Sequence, residues 1–371
     1  MAPNLSYLDI ISLENIFQAW SEFKKGKRRR KDVQEFERNL EDNLFLLYEQ
    51  LKNKTYRHGT YRSFYVQDPK QRHIHKAEVR DRVVHHLLYK YLYNLFDKSF
   101  IYDSYSCREE KGTHKGVKRL EKFTRIVSKN YSRECWALKL DIKKFFASVD
   151  HKIFFNLLKK KVKDEEILGL LKQIINSFCS CHPEHSEGYN SRHIFFAVAQ
   201  NDNNHKGIPL GNLTSQVFAN IYMNELDRFI KHKLKIKYYL RYADDFVILS
   251  GDKQLLSQLI VPISQFLNED LKLELHPKKI ILRKLNWGID FLGYIVLPHY
   301  ILPRTKTKRR IFKKLKEKAG SDNFNQSLQS YMGYLGHARS FKLRQYILRY
   351  AQNDIRVLDP LAIKYLGGEL F

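Results

Sequence analysis

The segment 238–250 (YYLRYADDFVILS) constrains the fold of this chain more than any other. Two short apolar runs flank a polar turn that carries Asp244 and Asp245, which predicts a β-hairpin with two adjacent carboxylates at its tip. Adjacent like charges repel unless a cation lies between them. For an isolated pair, ordinary turn chemistry is the better explanation, because Asp is a common turn residue.

Another carboxylate, Asp141, ends a predicted strand. Residues 135–142 (CWALKLDI) alternate, so Leu138 and Leu140 share one face and Lys139 and Asp141 the other. Phosphoryl transfer to a sugar hydroxyl is catalysed by two divalent ions held by carboxylates, and magnesium prefers such oxygen ligands. The spacing between the two acidic segments carries no information about their proximity.

The charge of the chain indicates its partner class. Lys and Arg number 66 against 40 Asp and Glu, a net charge of +26. This balance favours nucleic acid or, less often, an anionic membrane surface; a basic housekeeping protein is the alternative. A hydrophobic fraction of 43% is ample for a folded core.

The same sequence predicts a cytoplasmic protein with no membrane partner. No apolar run approaches the roughly 20 residues of a membrane span, and the N-terminus lacks a signal-peptide pattern. Four cysteines are too few for a disulfide scaffold in a chain of 371 residues.

Periodicity predicts a mixture of helices and strands. An apolar stripe from Val79 to Phe96 indicates a packed helix. A helix is predicted after Leu213, with Thr214 or Ser215 as its N-cap. The remaining predicted helices lie over 1–60, which contains the basic run Lys24–Lys31, and from 304 onward, with one helix over 152–178 and one around 253–269. The remaining predicted strands lie within 55–66, over 271–275 and over 291–298.

Residues 179–206 lack clear periodicity and are rich in His, Asn and Ser, so they are predicted to be an inserted loop. Within this insert, Cys179, Cys181, His182 and His185 have the chemistry of zinc ligands. Their spacing is more compact than that of usual zinc fingers, which favours a passive loop.

Five motifs, in order, resemble those of reverse transcriptases. Tyr242–Asp245 (YADD) resembles the YxDD box of that family, and residues 138–151 (LKLDIKKFFASVDH) resemble its first palm aspartate motif. The others are residues 207–227, similar to the motif joining palm and fingers, 276–279 (HPKK), similar to a lysine-bearing segment, and 291–294 (FLGY), similar to the primer grip. The resemblance runs from about residue 55 to 340.

This resemblance implies an α+β fold, the right-hand polymerase. Its fingers, palm (an antiparallel sheet plus helices) and helical thumb would follow an N-terminal helical extension. The implied boundaries are 1–54 for the extension, 55–135 for the fingers, 136–299 for the palm with a fingers insertion and the irregular insert, and 300–371 for the helical thumb and tail.

A finer resemblance is to the reverse transcriptases of diversity-generating retroelements, in the group II intron-like branch. Most of the family has QGxxxSP where this chain has Leu210–Gln216 (LGNLTSQ), and residues 100–120 and 330–338 also resemble that branch. The resemblance implies error-prone copying of a template RNA at adenines. It also implies template RNA, an RNA/DNA primer duplex and an oligomer of a small basic accessory variability protein as partners.

The resemblance also assigns roles by position. Asp141, Asp244 and Asp245, with the Ile142 carbonyl, would hold two Mg²⁺ ions, while Phe146 would act as a steric gate for the incoming dNTP. Leu210 and Gly211 would lie beside the base, Arg72 would clamp the triphosphate, and Lys279 would protonate pyrophosphate. Core packing remains the alternative for Phe146, a surface cation for Arg72, and Lys278 could replace Lys279.

Three alternative functions stay open. A group II intron-like enzyme and an antiviral-defence reverse transcriptase share the same chemistry. An inactive RNA-binding protein on the polymerase scaffold is the alternative from another class, and the presence of all three aspartates argues against it. About 75 residues follow the FLGY motif, so we expect other proteins to carry out integration steps.

Overall fold

The computed structural model describes residues 5–67, 71–178 and 206–352. Residues 179–205, with Cys179, Cys181, His182 and His185, and residues 353–371 lie outside the described residues. Zinc binding by these four residues is therefore not tested, and the inserted loop stays a prediction.

The described helices are, in chain order, α1 (Tyr7–Ile10), α2 (Leu13–Lys24), α3 (Lys31–Arg38), α4 (Leu40–Lys52), α5 (Val79–Phe96), α6 (Thr113–Val127), α7 (Phe145–Ser148), α8 (His151–Lys159), α9 (Glu165–Asn176), α10 (Leu213–Arg228), α11 (Lys253–Gln258), α12 (Ile260–Asp270), α13 (Thr305–Glu317), α14 (Phe324–Gly336) and α15 (Phe341–Gln352). The strands are β1 (Arg62–Val66), β2 (Arg72–Lys76), β3 (Trp136–Asp141), β4 (Tyr239–Tyr242), β5 (Asp245–Ser250), β6 (Ile281–Lys284), β7 (Ile289–Phe291), β8 (Tyr294–Leu297) and β9 (Tyr300–Pro303).

The chain divides into two compact units. Unit 1 comprises Met1–Cys107, Asp141–Lys235 and Val261–Pro277. Unit 2 comprises Arg108–Leu140, Ile236–Ile260 and Lys278–Phe371. This division does not test the predicted boundaries of the fingers, palm and thumb. Each compact unit combines segments that are distant in the chain, whereas those boundaries divide the chain into consecutive segments.

Unit 1 is built around α5, which packs against α2 and α10. The predicted apolar stripe is confirmed, since Val83, Val84 and Leu92 of α5 are completely buried. The β1–β2 hairpin of this unit is antiparallel and pairs Arg62 with Lys76. Helices with one wide apolar face bury it in this way against two neighbours at once.

Unit 2 contains a four-stranded sheet in the order β4-β5-β3-β6 and a three-stranded sheet in the order β7-β8-β9. The predicted hairpin is confirmed, because β4 and β5 pair antiparallel with Tyr242 opposite Asp245. Strand β3 also forms as predicted and pairs antiparallel with β6, with Trp136 opposite Lys284. Fold class is therefore α+β, with mixed helices and antiparallel sheets.

The basic tail is helical over α13, α14 and α15, as predicted for the part that is described. These helices share a core of their own formed by Ile311, Leu315, Leu335 and Ile347. Their apolar residues recur at helical spacing, so the basic side chains remain on the outer faces.

Several local predictions are wrong. Residues 152–178 form two helices, because Asp164 caps α9 and accepts hydrogen bonds from the backbone N–H groups of Glu166 and Ile167. Residues 271–275 form no strand beyond one isolated bridge between Ile142 and Leu275. The alternating pattern arises because the leucines of this segment are buried. A β-strand also requires hydrogen bonds along a partner strand.

The predicted strand over 291–298 is divided into β7 and β8. Leu292 (φ 51°) and Gly293 (φ 89°) have left-handed conformations that reverse the chain. The predicted N-caps are also wrong: α10 begins at Leu213 after Asn212, and Thr214 and Ser215 are buried within its first turn.

Candidate active site

The tip of the β4–β5 hairpin holds the adjacent carboxylates in a strained turn. Ala243 has a φ of 55°, a region that residues other than glycine adopt rarely. The completely buried Arg241 donates a hydrogen bond from Nη1 to the Ala243 carbonyl at 3.0 Å. Backbone strain of this kind persists where the surrounding structure enforces it and is concentrated at functional sites.

Lys139 of β3 supplies the positive charge that the carboxylate pair requires. Its Nζ lies 3.0 Å from Asp245 Oδ2 and also donates to the Asp290 carbonyl at 3.0 Å. Side chains alternate along a strand, so Lys139 and Asp141 project from the same face of β3. Within unit 2, Lys139 of β3 therefore contacts the tip of the neighbouring strand β5. We call Lys139, Arg241, Ala243, Asp244 and Asp245 the charged turn.

Asp141 is the last residue of β3, and its backbone is fixed within unit 1. Its carbonyl accepts a hydrogen bond from the backbone N–H of His276 at 2.8 Å. The next residue, Ile142, is buried and bridges to Leu275. Lys279 lies three residues beyond His276, in a short 3-10 turn, and is half-buried.

The charged turn supplies hard oxygen donors, the ligand type that magnesium prefers. Over residues 5–67, 71–178 and 206–352, no group of three or more His, Cys, Asp and Glu is arranged to hold a metal ion. The residues present thus offer a carboxylate pair in which Asp245 is paired with the Lys139 ammonium group. Such a site fits a metal that takes its remaining ligands from water and from substrate phosphates.

The predicted base-contacting residues are held against β2 within unit 1. The His75 backbone N–H donates to the Leu210 carbonyl at 2.8 Å, and Asn212 Nδ2 donates to the His75 carbonyl at 3.2 Å. Gly211 has a φ of 122°, and a Cβ there would lie 2.7 Å from Ile74 Cγ2. Only glycine therefore fits between the loop and the strand.

Arg72 begins the same strand, β2, and its side chain is exposed. The structure thus brings Arg72 and the Leu210–Gly211 loop onto one hairpin. A guanidinium at this place is accessible to an anionic ligand.

Phe146 is half-buried, whereas its neighbour Phe145 belongs to the core. The two rings meet edge to face with centroids 5.4 Å apart. The Phe146 carbonyl accepts from the Ile208 backbone N–H at 2.7 Å, which ties it to the segment before Leu210. Core packing, which was the alternative role for Phe146, therefore describes Phe145. The Phe146 ring remains partly accessible.

Comparison with known proteins decides the family. The family model for "Reverse transcriptase (RNA-dependent DNA polymerase)" matches residues 66–296, more than half of the chain. The chain belongs to the reverse transcriptase family. Its α+β fold is that of a reverse transcriptase domain, a family whose members use divalent metal ions.

Curated relatives of this reverse transcriptase include intron-encoded proteins at low identity. It is 24% identical to the putative COX1/OXI3 intron 2 protein of Saccharomyces cerevisiae, over 66% of the chain and 32% of that protein. It is 22% identical to the group II intron-encoded protein LtrA of Lactococcus lactis subsp. cremoris, over 68% of the chain and 49% of that protein. The chain thus spans a third to a half of the length of these relatives.

Solved structures of telomerase also resemble this chain. The apo telomerase of Candida tropicalis aligns with a TM-score of 0.48 and 12% identity, over 70% of this chain and 52% of that one. The telomerase of Candida albicans in complex with a fragment of telomeric RNA aligns with a TM-score of 0.43 and 13% identity, over 72% of this chain and 51% of that one.

The sequence analysis did not identify Lys139 and Arg241 as the residues that bind the turn carrying the predicted aspartates. Lys139 and Arg241 both flank recognised aspartates, and the position of Lys139 two residues before Asp141 on one strand face could have identified it.

No helix among the described ranges is both long and apolar enough to cross a membrane.

Sequence reasoning also missed a buried polar network in unit 1 of this reverse transcriptase. Asp81 is completely buried and accepts hydrogen bonds from Tyr56 Oη at 2.8 Å and the Gly59 backbone N–H at 2.9 Å. His58 and His85 contact through their Nε2 atoms at 3.2 Å, and His85 Nδ1 lies 2.7 Å from Thr214 Oγ1. Burial lowers the pKa of His85 to about 3. We call Tyr56, His58, Asp81, His85 and Thr214 the histidine cluster.

Proposed function

We propose that this chain is an active RNA-directed DNA polymerase in which Asp141, Asp244 and Asp245 hold two Mg²⁺ ions, assisted by the Ile142 carbonyl. The contact between Lys139 and Asp245 carries this proposal, because it gives the acidic tip of β5 a cation that lies two residues before Asp141 in the chain. Bound Mg²⁺ would neutralise charge on the attacking and leaving oxygens of phosphoryl transfer. Substrate phosphates would complete its coordination.

The chain's own residues then bind and orient the dNTP. Gly211 lets the backbone approach the base, and Phe146 offers a ring that a 2′-hydroxyl would strike. Arg72 would bind the triphosphate, since a guanidinium fork matches phosphate oxygens. Lys279 is the proposed donor of a proton to the pyrophosphate oxygen.

Primer extension on an RNA template tests the activity. Asp244→Asn keeps the size of the side chain and removes one charge, so extension should fall by about a thousandfold, in line with the loss of a major electrostatic contribution to the transition state. Asp270→Asn, an exposed aspartate at the end of α12, should extend normally. Equal extension by wild type and Asp244→Asn would contradict the proposal and favour an RNA-binding scaffold.

We further propose that copying is error-prone at template adenines, as in diversity-generating retroelements. The Leu210 main chain is fixed to His75, and its side chain has no hydrogen-bonding group to read the base. Leu210→Gln should lower misincorporation opposite adenine, measured by sequencing the cDNA. Leu210→Met, which also lacks a donor, is the matched control. An unchanged error spectrum in Leu210→Gln would contradict this role.

A group II intron-like role is the second candidate, supported by the intron-encoded proteins among the curated relatives. The two candidates differ in fidelity. An intron-type enzyme needs a faithful copy of its RNA, so wild-type cDNA without an excess of errors at adenine would favour that role. Either enzyme would bind template RNA and an RNA/DNA primer duplex with strong salt dependence, given the net charge of +26.

The accessory variability protein and a cytoplasmic location remain part of the retroelement proposal. Cys107 and Cys135 are free thiols, as a reducing compartment requires. Co-purification of the chain with a small basic oligomer encoded beside it would support the partner, and extension that is unchanged by that oligomer would argue against it.

A further inference from the structure

Unit 2 displays a large aromatic side chain in water. Trp287 is 60% exposed at the end of the short 3-10 turn Leu285–Trp287, between β6 and β7. Leu285 anchors this turn, because its side chain is buried and its backbone N–H donates to the Cys135 carbonyl at 2.8 Å. Exposing a tryptophan forfeits the free energy that its burial would provide, so the position calls for an explanation.

The backbone that carries Trp287 is held firmly. Arg283 donates to the Trp287 carbonyl from Nη2 at 2.6 Å and from Nε at 3.1 Å. Gly288 has a φ of 76°, and a Cβ there would lie 2.5 Å from Ile295 Cγ2. Two independent constraints thus fix the turn, and the indole is presented on a rigid support.

A second indole, Trp136, contacts the exposed ring, and two lysines lie over that second indole. The Trp136 ring meets Trp287 edge to face, with centroids 5.8 Å apart and an interplanar angle of 85°. Lys253 Nζ lies 5.0 Å and Lys284 Nζ 5.9 Å from the centroid of the Trp136 ring. We call Trp136, Lys253, Arg283, Lys284 and Trp287 the tryptophan patch.

The patch keeps a positive charge after its acidic neighbours are counted. Glu134 forms an ion pair with Lys284 and accepts a hydrogen bond from Trp136 Nε1 at 3.1 Å. Asp252 caps α11, accepting from the backbone N–H groups of Gln254 and Leu255. Lys253 has an exposed side chain close to the Trp136 ring and is accessible to a phosphate group.

We propose that the tryptophan patch binds an unpaired segment of RNA, with one base stacked on Trp287 and the flanking phosphates near Lys253 and Arg283. An exposed indole beside cations is the combination that proteins use for single-stranded nucleic acid, because every base offers a π face. A duplex hides its base faces and would gain only the charge contacts. The template RNA of a reverse transcriptase includes unpaired nucleotides, which makes RNA the ligand available to this chain.

The patch is separated from the charged turn along the sheet. Trp136 begins β3, and Lys139 of the charged turn lies three residues further along it, so three steps of about 3.3 Å place them roughly 10 Å apart. Because side chains alternate along a strand, Trp136 and Lys139 also project from opposite faces of β3. The patch is therefore a second contact for RNA that goes beyond nucleotide addition.

Fluorescence titration of the full chain provides the test. The chain is first saturated with a blunt RNA/DNA hybrid, and a ten-nucleotide uridine RNA is then added. Stacking on Trp287 should quench part of the tryptophan emission, while the buried Trp20 gives a constant background. A second blunt duplex should give no such quenching. Quenching by thymidine DNA of equal length that equals or exceeds that by RNA would overturn the assignment to RNA.

Variants separate stacking from charge. Trp287→Ala should weaken RNA binding about tenfold, and Trp287→Phe less, since base stacking on an aromatic ring contributes on this scale. Lys253→Gln should lower the slope of log affinity against log salt by about 0.7, the value for one phosphate on a single strand. Phe45→Ala removes a ring that is 48% exposed on α4, and it should leave binding within twofold.

Two outcomes would overturn the proposal. The first is RNA affinity unchanged by Trp287→Ala in a protein whose circular dichroism matches wild type. The second is unchanged affinity and salt slope in Lys253→Gln, which lies on the surface and needs no refolding control. If the first outcome is accompanied by loss of binding of Trp287→Ala to an acidic protein, the patch is assigned to a protein partner.

Discussion

The charged turn and the histidine cluster both hold carboxylates, in opposite ways. In the charged turn, Asp244 and Asp245 are half-exposed, and Lys139 provides the compensating charge. In the histidine cluster, Asp81 is completely buried and satisfied by a hydroxyl and a backbone N–H, with Arg80 Nε at 3.5 Å. A carboxylate that must exchange ligands stays accessible, whereas one that joins segments is saturated with permanent partners.

The largest effect is expected for Asp81→Leu. This change leaves Tyr56 Oη and the Gly59 backbone N–H without their acceptor in a buried site, so the free energy of unfolding should fall by about 3–5 kcal/mol. Urea denaturation measures it. Asp270→Leu, at an exposed position, should change the free energy by less than about 0.5 kcal/mol. A loss below 1 kcal/mol for Asp81→Leu would show that the cluster is not a structural joint.

Acid should destabilise the histidine cluster before it affects most carboxylates. The pKa of His85 is lowered by burial to about 3, so the unfolded chain, with a pKa near 6.5, binds the proton first as the pH falls. The stability that neutral His85 provides is complete above pH 6.5. It should decline below that by up to about 1.4 kcal/mol per pH unit.

Urea midpoints between pH 7 and pH 4.5 measure this slope, and His85→Gln should reduce it. The slope that remains belongs partly to His86, whose pKa burial lowers to about 4. A slope equal in wild type and His85→Gln would contradict the assignment.

Removing the cation of the charged turn should affect activity more than stability. In Lys139→Met, the carboxylate pair loses its ammonium partner and the link to the Asp290 carbonyl, so primer extension should fall about tenfold. Stability should change by less than about 1 kcal/mol, because the lysine is partly exposed. Lys160→Met, which breaks the exposed pair with Glu225, should keep full activity. Parallel loss of activity and stability in Lys139→Met would make its role merely structural.

The smallest effect is expected for Thr214→Val, which keeps the shape of the side chain and removes the hydroxyl that contacts His85 Nδ1. Loss of one buried hydrogen bond should lower the free energy of unfolding by about 1 kcal/mol. Thr113→Val, whose hydroxyl makes only a long contact of 3.4 Å to Tyr242 Oη, is the comparison. Equal losses in both variants would remove the distinction between the cluster and a partly buried hydroxyl outside it.

Thr214 also shows why some predictions failed. A threonine at the start of a helical pattern is typical of an N-cap, but its hydroxyl contacts His85, 129 positions away in the chain. No local pattern could reveal that partner. By contrast, the division of residues 291–298 was open to prediction, because a glycine inside a strand pattern commonly marks a break.

Local sequence patterns correctly predicted those elements in which apolar side chains face the core and polar side chains face away from it. The stripe of α5 and the alternation of β3 separate apolar from polar groups at fixed periods, and both elements formed with the predicted faces. The YADD turn followed in the same way from two apolar runs and an intervening polar pair.

The sequence by itself thus determined the α+β class, the family and the acidic hairpin tip, because these depend on periodicity and on contiguous motifs. Only the tertiary structure decided that Lys139 meets Asp245, that Gly211 is pressed against Ile74, and that Trp287 is displayed beside Trp136. These contacts join segments that are distant in the chain. Their energies depend on which surfaces the folded core brings together.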